Sequence, residues 1–131
     1  MLYVLDTCTF LWLATDQSQL STLARQTIAD TNHTLHLSAI TVTETHRLVR
    51  KGKIALQANV ALDVWFRAAL AQHQVRCEPI TLEIAHAAEL LPAIHNDPAD
   101  RFILATAQVF GGRILSPDAI MRRYPGLVVE W

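Results

Sequence analysis

Four carboxylates stand at positions where an α/β chain keeps its chemistry. Asp6 follows the apolar run Leu2 to Leu5, and Glu44 follows the alternating segment Thr34 to Ser38. Asp100 opens a helical stretch behind Asp97-Pro98, and Asp118 lies in Ser116-Pro117-Asp118 after the run Arg113 to Leu115. Each also has a structural reading. Asp6 can cap a helix beginning at Thr7, and Ser116-Pro117-Asp118 reads as a helix start with an acid favoured by the dipole. Asp100 and Glu44 are harder to place that way. Ile103, Leu104 and Ala107 follow Asp100 at helical spacing, and Glu44 lies between Ile40 and Leu48 on one helical face. Both acids therefore top core-facing stripes. A carboxylate there is costly unless it is paired or bound to a metal.

Convergence of the four would carry a charge cost that proton uptake limits and a cation removes. At about 5 Å and an effective dielectric of about 20, each ionised pair repels by roughly 3 kcal/mol, and six pairs approach about 20 kcal/mol. That exceeds the stability of a typical domain, about 5 to 15 kcal/mol. A divalent cation removes the cost while keeping the acids charged. All-oxygen ligation suits Mg²⁺ or Mn²⁺, whereas zinc would want His or Cys at close spacing. The six histidines offer little of that: His33 and His36 have no companion Cys pair, and His46 and His86 sit on helices in ordinary exposed or core roles.

The elements that must position these groups follow from periodicity. Leu2 to Leu5 suits a strand buried on both faces, followed by a short helix from Thr7 to Ala14. Gln19 to Thr31 reads as a helix behind Ser18, Thr34 to Ser38 as a strand, and Thr41 to Lys51 as a helix stopped by Gly52, with Glu44 in its first turn. Gln57 to Gln74 carries Leu62, Trp65, Phe66 and Leu70 as a longer amphipathic helix, and Val75 to Ile80 reads as a strand. Glu83 to Leu91 is a helix closed by Pro92, Pro98 to Phe110 one closed by Gly111 and Gly112, and Arg113 to Leu115 a strand. Leu127 to Val129 can add an edge strand. Alternating strands and helices specify a layered α/β fold with a mainly parallel sheet, whose carboxyl edge gathers ligands and, here, the four acids.

Composition bounds the rest. At 131 residues the chain, 1–131, is one domain, and 51% hydrophobic with 18% charged residues excludes disorder. A net charge of −1 excludes a broad basic surface, so any nucleic-acid contact must be local. No apolar stretch is long enough for a membrane span, no signal peptide is evident, and the chain reads as cytoplasmic. Cys8 and Cys77 read as reduced core thiols.

Together these residues resemble the motifs of PIN-domain proteins, and more narrowly the VapC-like toxins of bacterial toxin-antitoxin pairs. The resemblance is carried by Leu-Asp-Thr-Cys-Thr-Phe-Leu-Trp-Leu at Asp6, Leu-Ser-Ala-Ile-Thr-Val-Thr-Glu at Glu44, Asn-Asp-Pro-Ala-Asp-Arg-Phe-Ile-Leu-Ala-Thr-Ala at Asp100, Ile-Leu-Ser-Pro-Asp at Asp118, and the closing Arg-Arg-Tyr-Pro. It implies a Rossmann-like α/β/α sandwich, a Mg²⁺- or Mn²⁺-dependent endoribonuclease, a homodimer and an inhibitory antitoxin. Of the two acids in the third motif, Asp100 has the family spacing, while Asp97 before Pro98 reads first as a helix cap. Thr7 and Ser116 match small hydroxyls near such a pocket. Cys8 stands where this subfamily often has His.

The chemistry expected of such a site is hydrolysis of RNA by metal-activated water, with Asp6, Glu44, Asp100 and Asp118 as metal ligands. Arg47, Arg50 and Lys51 on one helix, with Arg101 at the rim, are candidate contacts to RNA, although a solvated helix face accounts for the first three equally well. A noncatalytic PIN-like module binding RNA or protein is the alternative. A dehalogenase-type phosphatase would want an acid at position 8, and a phospho-receiver domain an early acidic pair; neither is present. Phe10, Trp12, Trp65 and Phe66 are candidates for a dimer or antitoxin groove, with core packing the simpler role.

Overall fold

The computed structural model describes residues 1–57 and 59–131. Five strands, β1 (Leu2–Leu5), β2 (Thr34–Ser38), β3 (Val75–Glu78), β4 (Arg113–Leu115) and β5 (Val129–Glu130), form one sheet in the order β3-β2-β1-β4-β5. Every pairing is parallel. The central strand β1 aligns Leu5 with Leu37 on one side and with Leu115 on the other. Among the described residues, six α-helices make the crossovers: α1 (Thr7–Thr15), α2 (Thr22–Ala29), α3 (Ile40–Arg50), α4 (Leu62–His73), α5 (Leu82–Leu90) and α6 (Pro98–Phe110).

Strand alternation divides the core between the two faces of the sheet. Tyr3, Leu5 and Leu115 join Phe10, Leu37 and Phe66 in one cluster, where Phe10 and Phe66 stack at 5.9 Å and Trp65 meets Phe10 edge-on at 6.2 Å. Val4 and Ile114 join Ile103, Leu104, Met121 and Tyr124 in the other. Helix α5 extends this second layer through Ile84 and Ala88, which pack with Ala105 of α6. Burying each of the larger aliphatic side chains contributes about 1.5 to 3 kcal/mol, so the sheet is fixed from both sides.

Several boundaries differ from the periodicity reading, each for a local reason. The second helix begins at Thr22 because Ser21 caps it, its hydroxyl accepting the Ala24 N–H at 3.0 Å, while Asp16 caps a separate 3₁₀ turn at Gln17–Gln19. The long helix begins at Leu62 rather than Gln57; Asn59, at φ 64°, is in left-handed backbone that no helix continues through, and residue 58 of the expected span lies outside the described residues. Helix α3 starts at Ile40, so Glu44 is in its second turn. Strand β3 stops at Glu78, before Pro79, and the edge strand forms at Val129–Glu130 rather than Leu127 to Val129. Cys77 is exposed on β3 and Cys8 half-buried, so neither is a core thiol. No helix among the described residues is long and apolar enough to cross a membrane.

Gly112 opens β4 against the first residue of β1. A Cβ there would lie 2.4 Å from Leu2 Cδ2 and 2.8 Å from the Leu2 carbonyl oxygen, and the carbonyl belongs to the sheet and cannot move aside. Gly112→Ala is therefore expected to cost about 1 to 3 kcal/mol, read as a lower midpoint of urea unfolding than wild type.

Candidate active site

The chain order reverses between β1 and β4, and the cleft lies beyond their carboxyl ends, where open parallel sheets bind ligands. Asp6 leaves β1 at 6% exposure and accepts the Thr7 N–H at 2.8 Å and the Ser116 hydroxyl at 2.6 Å. Ser116 is fully buried just past β4, and its oxygen also accepts the Asp118 N–H at 3.0 Å. One hydroxyl thus ties the ends of the two central strands together. Thr7 does the same for α3: its hydroxyl donates to Glu44 at 2.5 Å and lies 3.0 Å from the Thr41 hydroxyl. Asp97 caps α6 by accepting the Ala99 N–H at 3.0 Å, which sets Asp100 in that helix's first turn.

These five carboxylates line one cleft of about 590 Å³. They do not form the single four-acid cage expected from the sequence. Ligand atoms of Glu44, Asp97 and Asp100 lie within 4.8 Å of one another, and so do those of His95, Asp100 and Asp118. Asp100 belongs to both groups, and Asp6 stands outside both, coupled to Asp118 through Ser116. Summing six equal repulsions therefore overstates the crowding. Asp97 both caps α6 and has a carboxylate oxygen within reach of those of Glu44 and Asp100.

The electrostatics centre on Asp100. Burial, then the charges of Asp6, Asp97, Glu44 and Asp118, push its carboxyl up to about 8. Burial also raises Asp6, with Asp118 adding to it, although the Ser116 and Thr7 hydrogen bonds oppose. Glu44 is raised by burial, with Asp97 and Asp6 adding and Thr7 and Arg47 opposing. Burial pushes Asp118 upward too, but its bonds from His95 and the Ile120 and Met121 amides outweigh that and leave it below the usual range. The Cys8 thiol is pushed up to about 12 by burial and by Asp6, so it stays protonated beside the acids. The oxygen donors of Glu44, Asp97 and Asp100 suit a hard divalent cation, which would relieve the crowding that raises Asp100.

Two residues differ from the sequence reading. His95, which spacing rules for zinc passed over, places Nε2 at 2.8 Å from Asp100 Oδ2 and 3.1 Å from Asp118 Oδ2. Its signal was position: it stands two residues before the cap of the helix that carries Asp100. Arg101, expected at the rim as an RNA contact, instead donates to the carbonyls of Ala88, Leu91 and Pro92 at 2.7 to 2.9 Å. It clamps the end of α5, and its guanidinium is committed there. Arg47, Arg50 and Lys51 are exposed on and just beyond the last turns of α3, and Arg47 is near enough to lower Glu44. The cleft also has an apolar wall, with Leu11, Trp12, Leu48 and Ile54. Of the four aromatics, Phe10 and Phe66 are buried in the core, and Trp12 both faces the cleft and leans on Trp131 at 5.8 Å.

The model of the PIN domain family matches residues 3–127, nearly the whole chain. The chain belongs to the PIN-domain family. This PIN domain is 34% identical over 131 residues to Ribonuclease VapC22 of Mycobacterium tuberculosis (strain ATCC 25618 / H37Rv), spanning 98% of this chain and 97% of the relative. Its fold is similar to a chain in the crystal structure of VapBC2 from Rickettsia felis bound to a promoter DNA fragment, with TM-score 0.73, 17% identity and coverage of 99% and 98%. It is also similar to a chain of FitAcB from Neisseria gonorrhoeae, with TM-score 0.63, 20% identity and coverage of 97% and 95%.

The crowding sets a pH dependence with a definite sign. Between the ordinary carboxylate range and about 8, folded Asp100 holds a proton that the unfolded chain has released, so folding stability falls as pH rises across that window. Thermal melts in EDTA are expected to show the midpoint dropping from pH 5 to pH 8, with a shallower slope for Asp100→Asn, which has no proton to lose. Equal slopes in the two proteins would show that Asp100 is not crowded.

Proposed function

We propose that this PIN domain is a divalent-cation-dependent endoribonuclease, the toxin half of a toxin-antitoxin pair, which hydrolyses RNA phosphodiester bonds. The observation that carries the reading is Asp100: half-buried, shared by two ligand groups and crowded enough to hold its proton to about 8. Full-length likeness to a protein named as a ribonuclease supports the choice of RNA.

Glu44, Asp97 and Asp100 would hold one cation, with Asp118 and Asp6 lining the strand side of the cleft. Oxygen donors of this kind favour Mg²⁺ or Mn²⁺. A bound cation supplies an activated water at neutral pH and offsets charge on the phosphoryl and leaving oxygens. The chain's own residues do the positioning. Thr7 and Ser116 fix the carboxylates through neutral hydroxyls, adding no charge to a site that must admit an anionic backbone. Arg47, whose charge reaches Glu44, and Arg50 and Lys51 farther along the chain would offer cations to RNA phosphates, contacts that position the strand without reading its sequence.

The partner proposed is an antitoxin, a reading supported by neighbours that are VapBC and FitAcB assemblies. Its seat is the apolar wall of Leu11, Trp12, Leu48 and Ile54, directly beside the acids. Leu82 and Leu90, 87% and 71% exposed on α5, give a surface for the homodimer proposed. Cys8 and Cys77 are not bonded to each other, and the place of action proposed is the cytoplasm, where thiols stay reduced.

A fluorogenic RNA titrated with Mg²⁺ or Mn²⁺ tests the activity. Cleavage is expected to need the metal, to stop with EDTA, and to fall to background in Asp6→Ala and Asp100→Ala while both variants keep the wild-type circular dichroism spectrum. Undiminished cleavage by either variant would end this mechanism, and binding of RNA without cleavage by wild type would mark a noncatalytic module. In cells, expression should arrest growth and co-expression of the neighbouring small reading frame should relieve it.

A further inference from the structure

The proposed chemistry leaves His95 without a task, yet its ring is held firmly. The backbone N–H of His95 donates to the Tyr124 hydroxyl at 2.8 Å, and the ring Nδ1 accepts the Asp97 N–H at 3.3 Å. A neutral imidazole carries one proton, so acceptance at Nδ1 puts that proton on Nε2. There it points at two carboxylates, Asp100 Oδ2 at 2.8 Å and Asp118 Oδ2 at 3.1 Å. Asp118 has no oxygen to spare. Its Oδ1 already accepts the Ile120 N–H at 2.7 Å and the Met121 N–H at 3.4 Å, leaving Oδ2, the atom His95 holds.

These contacts distinguish the two ligand groups. The Glu44, Asp97 and Asp100 group contains carboxylates alone, whereas the Asp100 and Asp118 group contains a ring whose proton lies between its oxygens. To become a ligand, Nε2 would have to pass its proton to Nδ1, which would then confront the Asp97 N–H. Metal-ligating histidines normally have an acceptor behind the second nitrogen, and here there is a donor.

We propose that His95 is a built-in competitor for the second cation: its Nε2–H occupies the seat between Asp100 and Asp118, and a metal enters there only by displacing the ring. This rests on the metal-dependent reading above and deepens it. The carboxylate seat fills first, and the seat guarded by the ring fills at higher metal concentration.

The test is a titration of the metal-free full chain with Mn²⁺ alone, followed by calorimetry and by the electron paramagnetic resonance signal of free Mn²⁺. His95→Ala is expected to bind the second ion about tenfold tighter or more, the size of effect that losing hydrogen bonds to charged groups produces, with a smaller change at the first ion, whose seat shares Asp100. His95→Leu, which keeps bulk and removes the donor, should tighten it likewise, so the test survives if one variant folds poorly. Unchanged or weaker second binding in the folded variants, or imidazole nitrogen coupling to Mn²⁺ in the wild type, would overturn the proposal and leave the metal-dependent reading intact. Failure of folded wild type to bind Mn²⁺ at all would overturn both.

Discussion

Like charge held together in a partly dry cleft is the constraint on which the rest of this molecule turns. Asp6, Glu44, Asp97, Asp100 and Asp118 share one cleft, and Asp100 bears the charge of the other four. Nothing about carboxylates draws them together. They are held by a sheet packed from both faces and by hydroxyls and amides that donate to them: Ser116 to Asp6, Thr7 to Glu44, the Ala99 amide to Asp97. The stability of the hydrophobic layers is what the site draws on to keep its acids in register.

The parallel topology explains why such small residues suffice. With β1 central and the chain order reversing beside it, the ends of β1 and β4 emerge next to each other, and a single serine can span them. Helices α3 and α6 then deliver Glu44 and Asp100 from their first two turns toward the same edge. Hydroxyls serve better here than basic side chains would. A lysine or arginine in their place would neutralise the acids and compete with any incoming cation.

Much of this was legible in the residues. The acids announced themselves by position, because a carboxylate on an apolar stripe, as at Asp100 and Glu44, has few inexpensive explanations. The span Pro98–Phe110 is written out by a proline at its start and glycines at its end. What periodicity could not supply was direction at the scale of single atoms. It could not divide the acids into two groups sharing Asp100, and it read Asp97 chiefly as a cap when the same side chain also joins Glu44. His95 escaped because it lies in a loop without periodicity, and its partner Asp118 is 23 positions away. Arg101 misled for the opposite reason. Proximity to Asp100 in sequence suggested the rim, whereas the helix turns the guanidinium toward the carbonyls at the end of α5.

The serine that joins Asp6 to the opposite strand is 110 positions from it in the chain. A chain grown from its N-terminus makes Asp6 long before it makes Ser116 and Asp118. A product that stops short of Ser116 lacks both the hydroxyl that holds Asp6 and the carboxylate of Asp118, so it has no assembled centre. The centre comes into being only once β4 has been made and has paired with β1.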